Sequence, residues 1–119
     1  KGLCTVDYYM KAIDYMRKHI NNPHFYVFTD NPCWVKDNLP EFEYMLVDWN
    51  EVSGKRNFRD MQLMSCAKHN IIGNSTYSWW AAWLNANQDK IVVGPKRFFN
   101  PINSFFSTCD IMCEDWISL

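Results

Sequence analysis

Residues Asp60 to Leu84, DMQLMSCAKHNIIGNSTYSWWAAWL, restrict the folding choices of this 119-residue chain more than any other stretch. From Phe58 to Ala67, Met61 and Met64 share one helical face and Leu63 and Ala67 an adjoining one, the pattern of a half-buried helix. Asn70-Ile71-Ile72-Gly73 is too short for a helix and reads as a buried strand. Asn74, Ser75 and Thr76 follow, just before Trp79, Trp80, Trp83 and Leu84 recur at helical spacing. Small hydroxyl and amide side chains at such a point are N-cap residues. A strand that runs into a capped helix leaves backbone N–H groups and the positive end of the helix dipole at the sheet's carboxyl edge. That arrangement favours anions such as phosphate. Ser and Thr also cap helices with no ligand nearby, so the cap alone leaves a purely structural role open.

The rest of the chain follows the same alternation. Asp7 to Ile20 forms an amphipathic helix with Tyr9, Ile13, Met16 and Ile20 on one stripe, and Asn21-Asn22-Pro23 stops it. Phe25-Tyr26-Val27-Phe28 reads as a strand buried on both faces, ending in Thr29-Asp30. Pro32 opens a short helix to about Asn38, and Tyr44-Met45-Leu46-Val47 is a further strand ending in Asp48. Trp49 to Asn57, with Gly54, Lys55 and Arg56, is a polar loop. Asn85 to Asp89 is a turn, Lys90 to Val93 a strand, Pro95 to Thr108 irregular, and Asp110 to Trp116 a short closing segment. Helix and apolar strand alternating at this spacing predict an α/β domain with a parallel sheet and right-handed crossovers. Ligands of such sheets bind beyond the carboxyl ends of the strands, where Thr29, Asp30, Asp48, Asn74, Ser75, Thr76, Pro95 and Lys96 would gather.

Composition narrows the class. Aromatics at 17%, including six tryptophans, fit a densely packed single domain over residues 1–119. A net charge of −1 gives no general basic field for nucleic acid. No run of about 18 apolar residues spans a membrane, and Lys1 to Met10 is not a signal peptide. The absence of an initiator methionine suggests a piece of a longer protein. The five cysteines, Cys4, Cys33, Cys66, Cys109 and Cys113, lack zinc-site spacing with His19, His24 or His69 and read as reduced, mostly buried thiols.

Beyond these generic signals, the wording of the central stretch is specific. Asp60-Met61-Gln62-Leu63-Met64-Ser65, Lys68-His69-Asn70-Ile71-Ile72, Asn74-Ser75-Thr76-Tyr77-Ser78-Trp79-Trp80 and Ala82-Trp83-Leu84 closely resemble a signature of the α-1,2-fucosyltransferases, glycosyltransferase family 11. Tyr77 stands for Phe in that pattern, Gly73 for Ala and Ala81 for Gly. Ile91-Val92-Val93-Gly94-Pro95-Lys96-Arg97-Phe98-Phe99-Asn100 matches a second block, a valine-rich strand leading into P-K-x-F/W-F. Phe28-Thr29-Asp30 with Trp34, and Val47-Asp48-Trp49-Asn50, match more loosely.

The resemblance implies a parallel Rossmann-like sheet with flanking helices, the nucleotide-sugar-binding half of a two-domain (GT-B) glycosyltransferase. It implies inverting, metal-free transfer of L-fucose from GDP-fucose to the 2-hydroxyl of a galactose-terminated glycan. It assigns Asp60 to guanine, whose N1–H and N2–H₂ one carboxylate can accept. A helix-starting Asp also stabilises the dipole, and both readings stand. Asn74, Ser75 and Thr76, with the N–H groups around Tyr77, fall to the diphosphate. Asp30 either touches the sugar or ribose or caps the Pro32 helix, and Lys96 either reaches a phosphate or lies solvated. Trp79, Trp80 and Trp83 read as core. The family's H-x-R-R-x-D block has no counterpart here, so catalytic residues and the acceptor half are expected upstream. The implied location is cytoplasmic, with room for peripheral attachment at the inner face of a bacterial membrane.

Two other readings bracket this one. A transferase using another GDP-sugar fits the same residues. A receiver-like signalling module fits the strand order with Asp30, Asp48 and Lys96. Receivers, however, carry an acidic pair after their first strand, and Thr29-Asp30-Asn31 has one acid.

Overall fold

A computed structural model describes residues 4–39, 42–50, 58–96 and 112–119. Along them run α1 (Val6–His19), β1 (Phe25–Phe28), α2 (Pro32–Asn38), β2 (Tyr44–Val47), α3 (Arg59–Cys66), β3 (Asn70–Ile71), α4 (Thr76–Leu84), β4 (Val92–Gly94) and β5 (Ile117–Ser118). Residues 51–57 of the polar loop expected over Trp49–Asn57, residues 97–108 of the irregular stretch expected over Pro95–Thr108 (Phe98 and Phe99 among them), and Cys109 lie outside the described residues.

Local chemistry explains the helix ends. Thr5 caps α1, its Oγ1 accepting the Tyr8 N–H at 3.2 Å, and the chain leaves that helix through Asn22 at φ 52°. Asn31, not Asp30, caps α2: its Oδ1 accepts the Trp34 N–H at 3.1 Å, with Pro32 in the first turn. The Asn31 N–H in turn donates to Thr29 Oγ1. Asp30 is left exposed at the corner.

Every ladder is parallel, as the alternation predicts, but the described strands form two groups rather than one sheet. One is β1–β2, with Phe25 opposite Tyr44 and Phe28 opposite Val47. The other is β3–β4–β5, with Ile71 opposite Val93 and Val93 opposite Ile117. The buried strand expected over 70–73 keeps two ladder residues, Asn70 and Ile71; Ile72 N–H still donates to Val93 O at 2.8 Å, and the chain bends at Asn74 before the cap of α4. β5, whose residues follow the expected closing segment, completes this sheet through Lys96 N–H to Leu119 O and Leu119 N–H to Gly94 O.

The β3–β4 layer is covered on both faces. Ile71 and Val93 pack under α1 with Tyr8, Ala12 and Met16, while Ile72 and Val92 pack against Ala82 and Trp79 of α4. Successive residues of a strand point to opposite faces, so this division follows from period two. α1 also reaches Phe25 of β1 and so spans the two strand groups. β1–β2 is not buried on both faces as expected. Its paired Tyr26 and Met45 are 58% and 52% exposed, because α1 covers only one side.

α4 reverses another expectation. It buries Ser78, Ala81 and Ala82 and leaves Trp80 and Trp83 about half exposed, so Trp79 alone of its three tryptophans packs on the core. Small side chains let the helix approach the sheet closely, which turns the large ones outward. There Trp79 stacks on Trp83 at 5.6 Å and 7°, and Trp80 stands edge-on to Trp79 at 5.0 Å. The cysteines also depart from a mostly buried set: Cys33 and Cys66 are exposed, Cys4 and Cys113 half-buried, all four with free thiols. Surface thiols at 33 and 66 follow from short helices with a single buried face. Among the described residues no helix is long and apolar enough to cross a membrane.

Candidate functional site

The carboxyl edge of β3 leads directly into the α4 cap. Ser75 has extended backbone (φ −119°, ψ 141°), and its Oγ accepts the Ser78 N–H at 3.1 Å while sharing a hydrogen bond with Ser78 Oγ at 3.0 Å. The Ser75 hydroxyl is thus engaged in capping. Thr76, the first residue of α4, is exposed beside it.

A second helix start lies against this one. α3 has no side-chain cap of its own at Phe58. Tyr77, from the first turn of α4, supplies the missing acceptor: its Oη takes the Met61 N–H at 2.8 Å. The positive ends of two helix dipoles therefore converge on one place, and the field there favours negative charge more than either end alone. Asp60, in the first turn of α3, is buried at this junction, and one of its oxygens accepts from Asn50 Nδ2 at 2.8 Å. Partial burial, and the negative Asp60 nearby, hold the Tyr77 phenol above its ordinary pKa, so its hydroxyl stays protonated.

The structure brings Asp60, Ser75, Thr76 and Tyr77 together and adds Asn50, from the loosely matching Val47–Asn50 segment. Asn74, half-buried, precedes the Ser75 cap in the same turn. Asp30 is exposed beyond β1 and Lys96 beyond β4, both at carboxyl ends of strands, and among the described residues no hydrogen bond or ion pair ties either to the turn. Residues missed at the sequence level are Cys4, Tyr8 and Tyr9. Tyr8 Oη donates to Ile72 O at 2.5 Å and lies 3.3 Å from Val93 O, pinning α1 to the ends of β3 and β4. The adjacent tyrosines near a helix start were the available signal, but the amphipathic stripe absorbs Tyr9 as core and leaves Tyr8 off it.

The segments that meet here are the ones whose wording is shared with known proteins. The profile of glycosyl transferase family 11 matches residues 1–119. The chain belongs to that family. It is 40% identical over 119 residues to the O-antigen biosynthesis glycosyltransferase WbnK of Escherichia coli, covering 99% of this chain and 37% of that protein. It is 38% identical over 120 residues to an alpha-1,2-colitosyltransferase of Escherichia coli, covering 99% of this chain and 40% of that protein. The chain thus spans about two fifths of these relatives' lengths. No solved structure matches it. Membership in a glycosyltransferase family sets the receiver-like reading aside.

In this family 11 chain the signature divides into two ends with different work. Its Asp60, Tyr77 and Asn74–Thr76 portions meet at the carboxyl edge. Its Lys68–Asn70 and Ala82–Asn85 portions meet at the opposite, amino edge of β3 and β4 and are structural. There Asn85 Nδ2 donates to Ala67 O and to Asn70 Oδ1, both at 2.8 Å, and Asn70 Nδ2 donates to Met64 O. Lys90 Nζ donates to Ala82 O at 2.9 Å and Asn85 O at 2.8 Å, satisfying carbonyls at the end of α4. His69 Nδ1 accepts the Ile91 N–H at 2.9 Å, which requires that nitrogen unprotonated. Desolvation, helped by the charge of Lys68, lowers the His69 pKa. An open depression between Cys66, His69, Leu84 and Asp89 lies at this edge, away from the helix starts.

Proposed function

We propose that this chain is the GDP-sugar-binding part of a galactoside α-1,2-L-fucosyltransferase, a Rossmann-like half of a two-domain (GT-B) enzyme. The observation that carries the reading is the convergence of the α3 and α4 amino ends on Asp60, Tyr77 and the Ser75–Thr76 cap, inside the family's signature. Guanine would be selected by the Asp60 carboxylate, with Asn50 holding one of its oxygens and so fixing its plane. The diphosphate would lie over the amino end of α4, with Thr76 contributing its hydroxyl and the helix dipole stabilising charge as GDP departs. Asp30 and Lys96, at neighbouring strand ends, would close on the sugar or ribose and on a phosphate when the donor is bound. The galactose-terminated acceptor, and the groups that activate its 2-hydroxyl, would be met by parts of the enzyme beyond these residues. No metal is called for, since the two dipoles supply the positive field.

Calorimetric titration tests the reading directly. GDP is expected to bind more tightly than ADP or UDP. Asp60→Asn, which turns an acceptor oxygen into an NH₂ donor, is expected to cost about 1–3 kcal/mol of GDP affinity. Equal affinity for GDP and ADP, or an unchanged Asp60→Asn, would overturn it. The 38% identity to a colitosyltransferase favours a second reading, in which the transferred sugar is colitose rather than fucose. Screening both sugar nucleotides as donors separates the two.

A further inference from the structure

We infer that Tyr8 is a positioning residue for the turn between β3 and α4: its hydroxyl stands in for a ladder donor that Pro95 lacks, and so sets the peptide from which the turn departs. The inference rests on the reading of that turn as the diphosphate site. The β3–β4 ladder advances two residues at a time, the Asn70 N–H donating to Ile91 O at 3.0 Å and the Ile72 N–H to Val93 O at 2.8 Å. In a parallel pair, the carbonyl of a residue accepts from the residue two places beyond the one its own N–H reaches. The ladder partner of Ile72 O is therefore the N–H of residue 95. That residue is proline, which has none. Its neighbours face the other strand: Leu119 N–H donates to Gly94 O and Lys96 N–H to Leu119 O, so the buried Pro95 is turned towards β3, where the donor is wanted.

A buried carbonyl left without a partner is destabilising. Tyr8 Oη supplies the donor, at 2.5 Å from Ile72 O and 3.3 Å from Val93 O. A hydroxyl has one proton to give, so the short contact is the principal bond. Tyr8 is 7% exposed, and burial holds its phenol above its ordinary pKa, so the group stays a donor. β3 can then leave the ladder at Ile72 with its last carbonyl satisfied. The peptide so held, Ile72–Gly73, is the first of the turn. Gly73 lies directly against α1, where a Cβ would stand 3.0 Å from Tyr9 Oη. On the α4 side, Ser78 Oγ lies 3.0 Å from Ser75 O and 3.4 Å from Gly73 O. The turn is thus gripped from α1 at its first carbonyl and from α4 at its last. Asp60, assigned to guanine, belongs to α3, so loosening this turn should fall on the diphosphate and spare the base.

Calorimetric titration of the whole 119-residue chain with GDP and with guanosine tests this through the ratio of the two affinities. Tyr8→Phe keeps the ring and removes the hydroxyl. It should weaken GDP roughly five-fold, the worth of one hydrogen bond, and leave guanosine unchanged. A purely structural loss would lower the melting temperature without moving the ratio. Pro95→Ala supplies the missing backbone N–H, so in that background Tyr8→Phe should lower the ratio by less than about two-fold. Should Tyr8→Phe not fold alone, the Tyr8→Phe/Pro95→Ala pair, set against Pro95→Ala, gives the same readout: the pair should fold and keep its preference for GDP. If the native chain itself binds GDP no better than guanosine, the diphosphate reading falls and the role of Tyr8 with it. If the native chain prefers GDP but Tyr8→Phe leaves the ratio unchanged, Tyr8 is core alone and the inference is overturned while the diphosphate reading stands. Equal weakening of both ligands, an equal cost of Tyr8→Phe in both backgrounds, or a pair that fails to fold overturns it likewise.

Discussion

Tyr77 and His69 show how single side chains of one short stretch hold its two ends. Tyr77 Oη is the acceptor for the Met61 N–H that α3 cannot satisfy with its own Phe58. Tyr77→Phe should therefore lower stability by about 1 kcal/mol, seen as a fall of a few degrees in the melting temperature. Thr76 carries its hydroxyl at the exposed first position of α4, and Thr76→Val keeps its shape. It should weaken GDP more than guanosine; equal weakening would place its effect in the fold. His69 accepts through Nδ1, so the folded state prefers the neutral ring and its pKa is lowered. The unfolded chain then binds more protons, and stability should be full above about pH 6.5 and decline as pH falls below it. Urea midpoints between pH 5 and 8 check this, and in His69→Gln that decline should be reduced.

At the scale of elements, the β3–β4 layer is held from two ends by different physics. At its amino edge the connections from α3 and α4 are tied by amides. Asn85 is the centre of that knot, nearly fully buried, with its Oδ1 accepting the Asn87 N–H while its Nδ2 serves Ala67 O and Asn70 Oδ1. Asn85→Leu would strand several polar groups away from water, and a loss of about 2–3 kcal/mol is expected from denaturant titration. At the carboxyl edge the described residues contribute a tyrosine hydroxyl on two carbonyls, a serine cap and the Tyr77–Met61 bond between α4 and α3. Gly94 adds a packing constraint, since a Cβ there would stand 2.8 Å from the sulfur and methyl of Met112.

For the molecule as a whole, binding and transfer separate. A chain covering 37% and 40% of its relatives' lengths presents one candidate donor site. Transfer also needs an acceptor hydroxyl held in line with the anomeric carbon, and such positioning supplies a large share of the rate. The purified 119-residue chain is therefore expected to bind GDP yet transfer no fucose to a lactose-type acceptor. A radiolabelled donor assay, run beside GDP titration, would show both halves of that outcome.

The sequence by itself determined the local structure and the family. Periodicity and Pro32 placed α1, α2, α3 and α4 to within a residue or two, the cap of α4 was legible as one of Asn74, Ser75 and Thr76, and the wording from Asp60 to Leu84 named the family. These are short-range properties, set by the spacing of apolar side chains and by residue type. What only the tertiary structure decided involves partners distant in the chain. Asn31 rather than Asp30 caps α2 because of backbone geometry at the corner. Trp80 and Trp83 face outward because Ala81 and Ala82 are the side chains small enough to meet the sheet. The division of the described strands into β1–β2 and β3–β4–β5 depends on which edges pair, and apolar runs of similar composition do not encode that. Tyr9 meeting Gly73 and Tyr77 reaching Met61 join residues 64 and 16 positions apart, contacts that no local pattern records because they arise only when α1, α3 and α4 are brought to one end of the same strands.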